Sequence, residues 1–309
     1  MRNHEANVST VQIRVPATSA NLGPGYDTLG LALSLHDKVE AALTEEPGVA
    51  VTVEGEGAGE VDLGEGHLIV KAMRTTFARM GVPQPAGIRL RCRNRIPHAR
   101  GLGSSSAAVC AGILAARALA GVTGFSDDQV FALATEMEGH PDNVAPCLAG
   151  GLTVAWCDHT GVPRMVKLAP DERIRPVVVV PSTRLSTEAA RGLLPKDVPH
   201  KDAAFNAGRA ALLIAALTRR PEREVLLAAT EDRLHQPYRA PAMPESADLV
   251  ERLRAVGVPA VVSGAGPAVL AFSTSDSQDL IAPEVGNDWH IQQMDVDPVG
   301  ANVQFPETR

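Results

Sequence analysis

The chain has 309 residues, of which 45% are apolar, and its formal net charge at pH 7 is −7. A chain of this length suits two domains of about 150 residues, each with a core of its own. The acidic balance, with a pI near 5.7, argues against a nucleic-acid or anionic-membrane surface, because both need a basic face. The expected partner is therefore a small molecule, with no nucleic acid and no membrane.

The cysteines carry no signature of a metal or redox site. Cys92, Cys110, Cys147 and Cys157 show no C-x-x-C spacing, and the polar start of the chain has no apolar signal segment. The apolar run at 210–217 is far shorter than the roughly 18 residues that a membrane span requires. These features predict a cytoplasmic protein with free thiols.

The first half of the chain is predicted to mix strands and helices. An alternating strand begins near Val11, turns through a loop rich in Pro, Gly, Ser and Asn, and resumes as an apolar strand up to Leu33. The elements predicted after it are two strands around 46–48, a helix ending at Gly81, a strand at 87–97, a helix at 104–120, a helix capped by Ser126, and a strand at 151–156.

The second half is predicted to begin near 160–168, which divides the chain into domains 1–165 and 166–309. It opens with an apolar strand around 177–180 and continues with a long helix at 202–218. Further helices are predicted within 222–235 and 246–257, followed by two strands around a glycine-rich turn at 263–267. Strand and helix alternate in both halves, so the predicted fold class is α+β.

The segment "RIPHARGLGSSSAAVCAGILAARALAG" places a glycine-serine loop, residues 101–106, at the start of an alanine-rich helix. A Walker loop is excluded because the chain has no Gly-Lys pair. A dinucleotide fingerprint is disfavoured because Ser106 stands where its last glycine should be. The loop can instead present backbone N–H groups to phosphate at the positive end of the helix dipole. An ordinary N-cap before a packing helix is the alternative.

Two further segments change this balance. "PATSANLGPGYDTLGLAL" (16–33) and "VSGAGPAVLAF" (262–272), together with "PHARGLGSSSAA", resemble the three motifs of the small-molecule kinases named after galactokinase, homoserine kinase, mevalonate kinase and phosphomevalonate kinase. The resemblance covers essentially the whole chain. It implies a two-domain kinase fold, with an N-terminal ribosomal-protein-S5-like domain that binds nucleotide and a C-terminal ferredoxin-like domain that completes the substrate site.

Within the family the resemblance is closest to the homoserine kinases, through "TSANLGPGYD", "HPDNVAPCLAGG", "STEAARGLLP" and "HQPYR". It implies ATP-dependent phosphorylation of the L-homoserine hydroxyl in threonine biosynthesis, with ATP and Mg²⁺ as cofactors. A homodimer is compatible with it. A kinase for another small alcohol, such as mevalonate or shikimate, and a catalytically inactive nucleotide-binding protein are the alternatives.

The resemblance also implies which residues meet the nucleotide and the metal. Mg²⁺ prefers hard oxygen ligands and keeps several waters, and Ser105 and Glu136 are the predicted pair, with Glu138 as second choice. His67 is expected near the base, where some relatives have Asn. The residues expected at the nucleotide are Pro97, His98, Ala99, Arg100, Gly101, Leu102, Gly103, Ser104, Ser105, Ser106, Ala107 and His67.

On the substrate side, Arg191 and Arg239 are expected at the α-carboxylate, because a guanidinium fork matches a carboxylate. By similarity the ammonium and hydroxyl meet Asn21, Asp27, His140 and Asp142, with Thr187 and Gly264 nearby. Asn143 stands where related kinases are thought to carry an Asp base, which implies transfer driven by alignment and electrostatics. Asp142 keeps a base mechanism open. Asn21, Asp27, Asn143, Ser105 and Glu136 form the predicted catalytic set.

Overall fold

The computed structural model describes residues 10–274 and 277–305 of the chain. Its strands are β1 Thr10–Ala20, β2 Leu29–Thr44, β3 Gly48–Gly55, β4 Gly87–Asn94, β5 Leu152–Cys157, β6 Pro163–Leu168, β7 Arg175–Pro181, β8 Ala260–Val262, β9 Val269–Ser273, β10 Trp289–Gln293 and β11 Asn302–Gln304. Its α-helices are α1 Leu68–Arg79, α2 Ser104–Ala120, α3 Asp127–Glu138, α4 Val144–Ala149, α5 Thr187–Gly192, α6 His200–Thr218, α7 Arg223–Ala229, α8 Gln236–Arg239 and α9 Pro244–Ala255. Short 3₁₀ turns lie at Ala240–Ala242, Gln278–Leu280 and Ala282–Glu284.

The strands form two sheets. The first has the order β11-β1-β2-β4-β3, and β5 and β6 extend it from β2. The second is antiparallel in the order β10-β7-β9-β8. Helices accompany both sheets, which confirms the predicted α+β class.

Two local signals fix the helices that carry the site. Helix α3 begins with a capping box, in which Ser126 and Gln129 satisfy each other's backbone N–H groups. Helix α2 spans the predicted alanine-rich run and ends at Gly121, whose φ of 62° stops the helix. Its residues from Ser106 to Ala116 are buried except for Ala108, so small side chains let it lie in the centre of the first domain.

The apolar run of β7 is buried on both faces of the second sheet. Val178 and Val180 join the main core, whereas Val177 and Val179 join a smaller core together with Leu249 of α9. Alternate residues of a strand face opposite sides, so a continuous run of valines is what a strand covered on both sides needs.

Two strands of the first sheet extend beyond the predicted domain boundary. Strand β6 contains residue 165, and β11 returns from the far end of the chain to pair with β1. The division into 1–165 and 166–309 therefore remains a prediction, and the first sheet includes the last strand of the chain.

Candidate active site

Three glycine-containing segments lie against one another: the glycine-serine loop, the N-terminal segment (residues 16–28) and the second-domain turn (263–267). Thr18 N donates to Leu102 O over 3.0 Å, and Gly264 N donates to Ala20 O over 3.1 Å. The Ser263 hydroxyl joins the second-domain turn to the glycine-serine loop. The segments that carry the family resemblance are thus hydrogen-bonded to one another.

Backbone packing explains the two glycines of the glycine-serine loop. Gly101 has a φ of 74°, and a Cβ there would lie 2.1 Å from the carbonyl oxygen of Ser263. Gly103 has a φ of 72°, and a Cβ there would lie 2.0 Å from Thr18 Oγ1. Only glycine satisfies both the positive φ and the close approach.

These segments surround a cavity of about 480 Å³. Of the predicted site residues, the following line it: Asn21, Ala99, Arg100, Gly101, Leu102, Gly103, Ser104, Ser105, Ser106, His140, Asp142, Asn143, Thr187, Arg191, Arg239 and Gly264. A second cavity of about 360 Å³ shares Ser104 and Ser105 with the first and is also lined by His67, His98 and Ala107. Asp27 reaches the first cavity through its partner Arg191, whereas Pro97 and Glu136 line neither cavity.

The N-terminus of α2 lies at the junction of the two cavities. Its N-cap, Gly103, provides no side-chain cap. The first N–H groups of a helix have no partners within the helix and carry its partial positive charge. This end of α2 is therefore suited to an anion.

Glu138, and not Glu136, faces the serines. The hydroxyls of Ser105 and Ser106 each donate to the Glu138 carboxylate over 2.6 Å. Glu136 instead accepts two 2.8 Å hydrogen bonds from Arg79 on the protein surface. Two residues along an α-helix turn the side chain by about 200°, so the two glutamates of α3 cannot share a site. The metal role predicted for Glu136 stays a prediction, and this placement favours Glu138, the second choice, in its stead.

Arg191 and Asp27 form a bidentate ion pair at the edge of the first cavity. Arg191 Nη2 donates to Asp27 Oδ1 over 2.6 Å, and Nη1 donates to Oδ2 over 3.1 Å. Asp27 has a φ of 53°, and its N–H is bound by the side-chain oxygen of Asn21 over 2.9 Å. Asn21, itself at a φ of 67°, donates to Gly264 O. Such backbone conformations are costly and persist only where surrounding contacts hold them.

Arg239 is buried, with 2% of its surface exposed. Its Nε donates to Ala190 O over 3.3 Å, and its Nη1 contacts His235 Nδ1 over 3.0 Å and Gly264 O over 3.3 Å. Within residues 10–274 and 277–305, no carboxylate pairs with it. Burial is the largest cause of a lowered pKa at this guanidinium, so an anion in the cavity would relieve an electrostatic cost.

The loop before α4 supplies a second polar group. His140 Nδ1 lies 2.6 Å from Asp142 Oδ1, and Asp142 is buried. Burial alone lowers the pKa of His140, but the hydrogen bond and charge of Asp142 outweigh it, and the pKa is raised. Next to them, the Asn143 side-chain oxygen accepts a 2.7 Å hydrogen bond from Thr18.

His67 stands in the second cavity as a buried imidazole whose Nδ1 has no hydrogen-bond partner in the part of the chain that the structure describes. Burial is the main cause of its lowered pKa, so the ring is neutral at pH 7. A buried polar atom without a partner is unfavourable, so this cavity is suited to a polar ligand that can reach Nδ1.

Sequence reasoning missed three residues that hold the site together, namely Thr18, Tyr26 and His235. His235 is fully buried and contacts Arg239, whereas Tyr26 lies against both arginines. Thr18 and Tyr26 lie within the quoted motif and His235 begins "HQPYR", so the motifs were the only signal that could have found them.

Two features are absent from residues 10–274 and 277–305. No group of at least three His, Cys, Asp or Glu side chains is arranged to hold a metal ion there. No helix there has the length and apolar character needed to cross a membrane.

Comparison with known proteins agrees with this arrangement. Residues 67–151 match the GHMP kinases N terminal domain, and residues 208–291 match the GHMP kinases C terminal domain. A homoserine kinase of Streptomyces coelicolor is 54% identical over 297 residues, covering 96% of this chain and 94% of that protein. The chain belongs to the GHMP kinase family.

Other GHMP kinases are similar over the same length. A homoserine kinase of Clavibacter michiganensis is 53% identical over 310 residues, covering 98% of this chain and 97% of that protein. The crystal structure of a homoserine kinase from Cytophaga hutchinsonii superposes with a TM-score of 0.82 at 25% identity, covering 98% of this chain and all of that one. The similarity extends over both halves of this GHMP kinase.

Proposed function

We propose that this GHMP kinase transfers the γ-phosphoryl group of ATP to the hydroxyl of L-homoserine, a step of threonine biosynthesis. One observation carries the proposal: a single cavity contains both a serine-rich helix N-terminus and a pair of arginines beside an aspartate. The first suits phosphate, and the second suits a zwitterion. The relatives named homoserine kinase, aligned over nearly the whole chain, support the same substrate.

ATP is proposed to span the two cavities. Ser104 and Ser105 belong to both, so a triphosphate at the N-terminus of α2 has room for its base on one side and its γ-phosphate on the other. Nδ1 of His67, which has no hydrogen-bond partner among the described residues, is proposed to hydrogen-bond the base or the ribose. Residues 98–107 then form the wall along which the phosphates lie.

The oxygen atoms of Ser105, Ser106 and Glu138 fit Mg²⁺. They are hard oxygen ligands, and both hydroxyls already lie within hydrogen-bond distance of the Glu138 carboxylate. Mg²⁺ prefers such oxygen ligands and takes further ones from water and phosphate. When bound, the ion neutralises phosphate charge. The carboxylate of Glu138 holds the two hydroxyls in place for this purpose.

Homoserine is proposed to bind between the phosphates and the ion pair. Its α-carboxylate meets Arg239 and Arg191, and its ammonium meets Asp27. The two charges of the substrate thus complement Arg191 and Asp27, which pair with each other in the structure. A hydroxy acid such as mevalonate has no ammonium for Asp27, which favours the amino acid. Thr187 and Gly264 line the same wall.

Proton removal is proposed to need no carboxylate base. Asn143 is an amide, and its side-chain oxygen is occupied by Thr18. Asp142 is engaged with His140, whose raised pKa keeps a proton within that pair. Alignment and charge stabilisation therefore carry the rate, and the hydroxyl proton passes to the phosphoryl oxygens.

A coupled assay of ADP formation tests the function. L-Homoserine, mevalonate and shikimate are each supplied with ATP and Mg²⁺. We expect kcat/KM to be at least about thirtyfold higher for L-homoserine, since losing a desolvated charge partner typically costs about 2–5 kcal/mol. Equal or greater turnover with either hydroxy acid would contradict the proposal, and no turnover with any alcohol would indicate a nucleotide-binding protein.

A further inference from the structure

Tyr26 lies against both arginines of the candidate substrate site. Its ring centroid is 5.7 Å from Cζ of Arg191 and 5.5 Å from Cζ of Arg239. Its hydroxyl oxygen accepts a 3.0 Å hydrogen bond from Arg191 Nη1. One side chain thus contacts two cations that come from helices far apart in the chain.

Two guanidiniums beside one cavity repel each other when no anion is present. The charge of Arg191 adds to the burial that lowers the pKa of Arg239. Asp27 neutralises Arg191, but within the described ranges Arg239 has only neutral partners. The negative face of an aromatic ring attracts a cation, so Tyr26 helps to compensate the charge of Arg239, which makes no direct ion pair within the described residues.

His235 completes this support from the other side of Arg239. It is fully buried, and its Nε2 lies 2.7 Å from Gly23 O, an acceptor that requires the ring proton on Nε2. Its Nδ1 is then free to accept from Arg239 Nη1. The imidazole also packs against Tyr26, with ring centroids 5.4 Å apart, so the phenol and Arg239 are held by the same neutral histidine.

We infer that Tyr26 is a positioning residue that sets the selectivity of this enzyme for an α-carboxylate. Its ring and hydroxyl keep Arg191 and Arg239 oriented as a single carboxylate-binding fork before substrate arrives. Preorganised groups lose less entropy on binding. The inference rests on the proposed function, because it assigns the fork to the carboxylate of homoserine.

The test compares Tyr26→Phe and Tyr26→Leu with Tyr238→Phe. Tyr238 is the other tyrosine of the chain and stands next to Arg239 in sequence, so it is a matched control. We expect Tyr26→Phe to raise the KM for L-homoserine at least about tenfold, the value of one hydrogen bond to a charged group. Tyr26→Leu should raise it further, with the KM for ATP within about twofold of wild type. Tyr238→Phe should change neither constant.

A double-mutant cycle separates positioning from a merely structural role. Without its guanidinium partner, the hydroxyl of Tyr26 has nothing to orient, so Tyr26→Phe should have less than about a twofold effect in an Arg191→Leu background. Calorimetric titration of L-homoserine reports binding in variants whose turnover is too slow to measure. A structural role would give the same loss in both backgrounds.

The outcomes distinguish the two proposals. Failure of the wild type to phosphorylate L-homoserine would contradict the proposed function. If the wild type phosphorylates L-homoserine but Tyr26→Phe and Tyr26→Leu both keep the KM for L-homoserine within about twofold of wild type, only the role of Tyr26 is overturned. If Tyr26→Leu fails to fold, Tyr26→Phe and the cycle decide, because the ring is retained in both.

Discussion

Glu138 accepts a 2.6 Å hydrogen bond from the hydroxyl of Ser105, which joins the last turn of α3 to the first turn of α2. This contact places a carboxylate at the same helix end that is suited to phosphate. It also distinguishes Glu138 from Glu136, which lies on the same helix but pairs with Arg79 at the surface. A pair of variants can therefore ask which carboxylate serves the metal.

Glu138→Gln is expected to lower kcat at least about 100-fold, the usual scale for losing one group that stabilises transition-state charge. Higher Mg²⁺ should restore part of the loss, and ADP formation against Mg²⁺ concentration measures both effects. Glu136→Gln is the matched control. It removes an exposed ion pair with Arg79, which is worth about 0–1 kcal/mol, and its kcat should stay within about twofold. The opposite ranking would return the metal role to Glu136.

Arg239→Leu should lower kcat/KM for L-homoserine at least about thirtyfold, because losing a desolvated charge partner costs about 2–5 kcal/mol. Most of the change should appear as a higher KM, since the carboxylate is bound in ground and transition states alike. Arg254→Leu is the control: this half-buried arginine bonds Leu227 O and Thr230 outside the candidate site. A KM for L-homoserine that rises equally in both variants would show a general loss of structure.

Gly103→Ala is expected to destabilise the protein more than Gly121→Ala does. Both glycines have positive φ, at 72° and 62°, and they stand at the two ends of α2. Positive φ alone costs a side chain roughly 1–2 kcal/mol. At Gly103 the new Cβ would also lie 2.0 Å from Thr18 Oγ1, whereas at Gly121 no atom of the described residues lies within 4 Å. Urea unfolding should show a further loss of about 1–3 kcal/mol at Gly103, and equal losses would argue against the close approach.

The His140–Asp142 pair should make stability depend on pH. The pKa of His140 is raised in the folded protein, above the value of about 6.5 in the unfolded chain. Its stabilisation is therefore complete below about pH 6.5 and is lost as pH rises through the folded pKa. In urea unfolding, the free-energy difference between wild type and His140→Gln should be largest near pH 6 and shrink towards pH 9. Asp142→Asn should abolish this trend, and a trend that persists would assign it to another group.

Much of the local structure was readable from the sequence. The alanine-rich run between Gly103 and Gly121 predicted α2, and Ser126 predicted the start of α3. Caps and hydrophobic periodicity act within a few residues, so they can be recognised without the fold. The three glycine-containing motifs predicted the kinase family in the same way, because each motif is a short continuous segment.

Long-range pairing was not readable. Strand β11 is only Asn302–Gln304, and its partner β1 lies almost 300 residues earlier; so short a strand has too little pattern to predict. The predicted domain boundary near 165 lies within β6, which among the described strands pairs with β5 alone.

The sequence by itself determined the fold class, the family and the segments that form the site. Only the tertiary structure decided which side chains in those segments face each other: Glu138 rather than Glu136 at Ser105, and Tyr26 between Arg191 and Arg239. The physical reason is that the direction of a side chain depends on the phase of its helix and on how that helix packs. A one-residue error in phase turns a helical side chain by about 100°, which is enough to exchange a cavity for solvent.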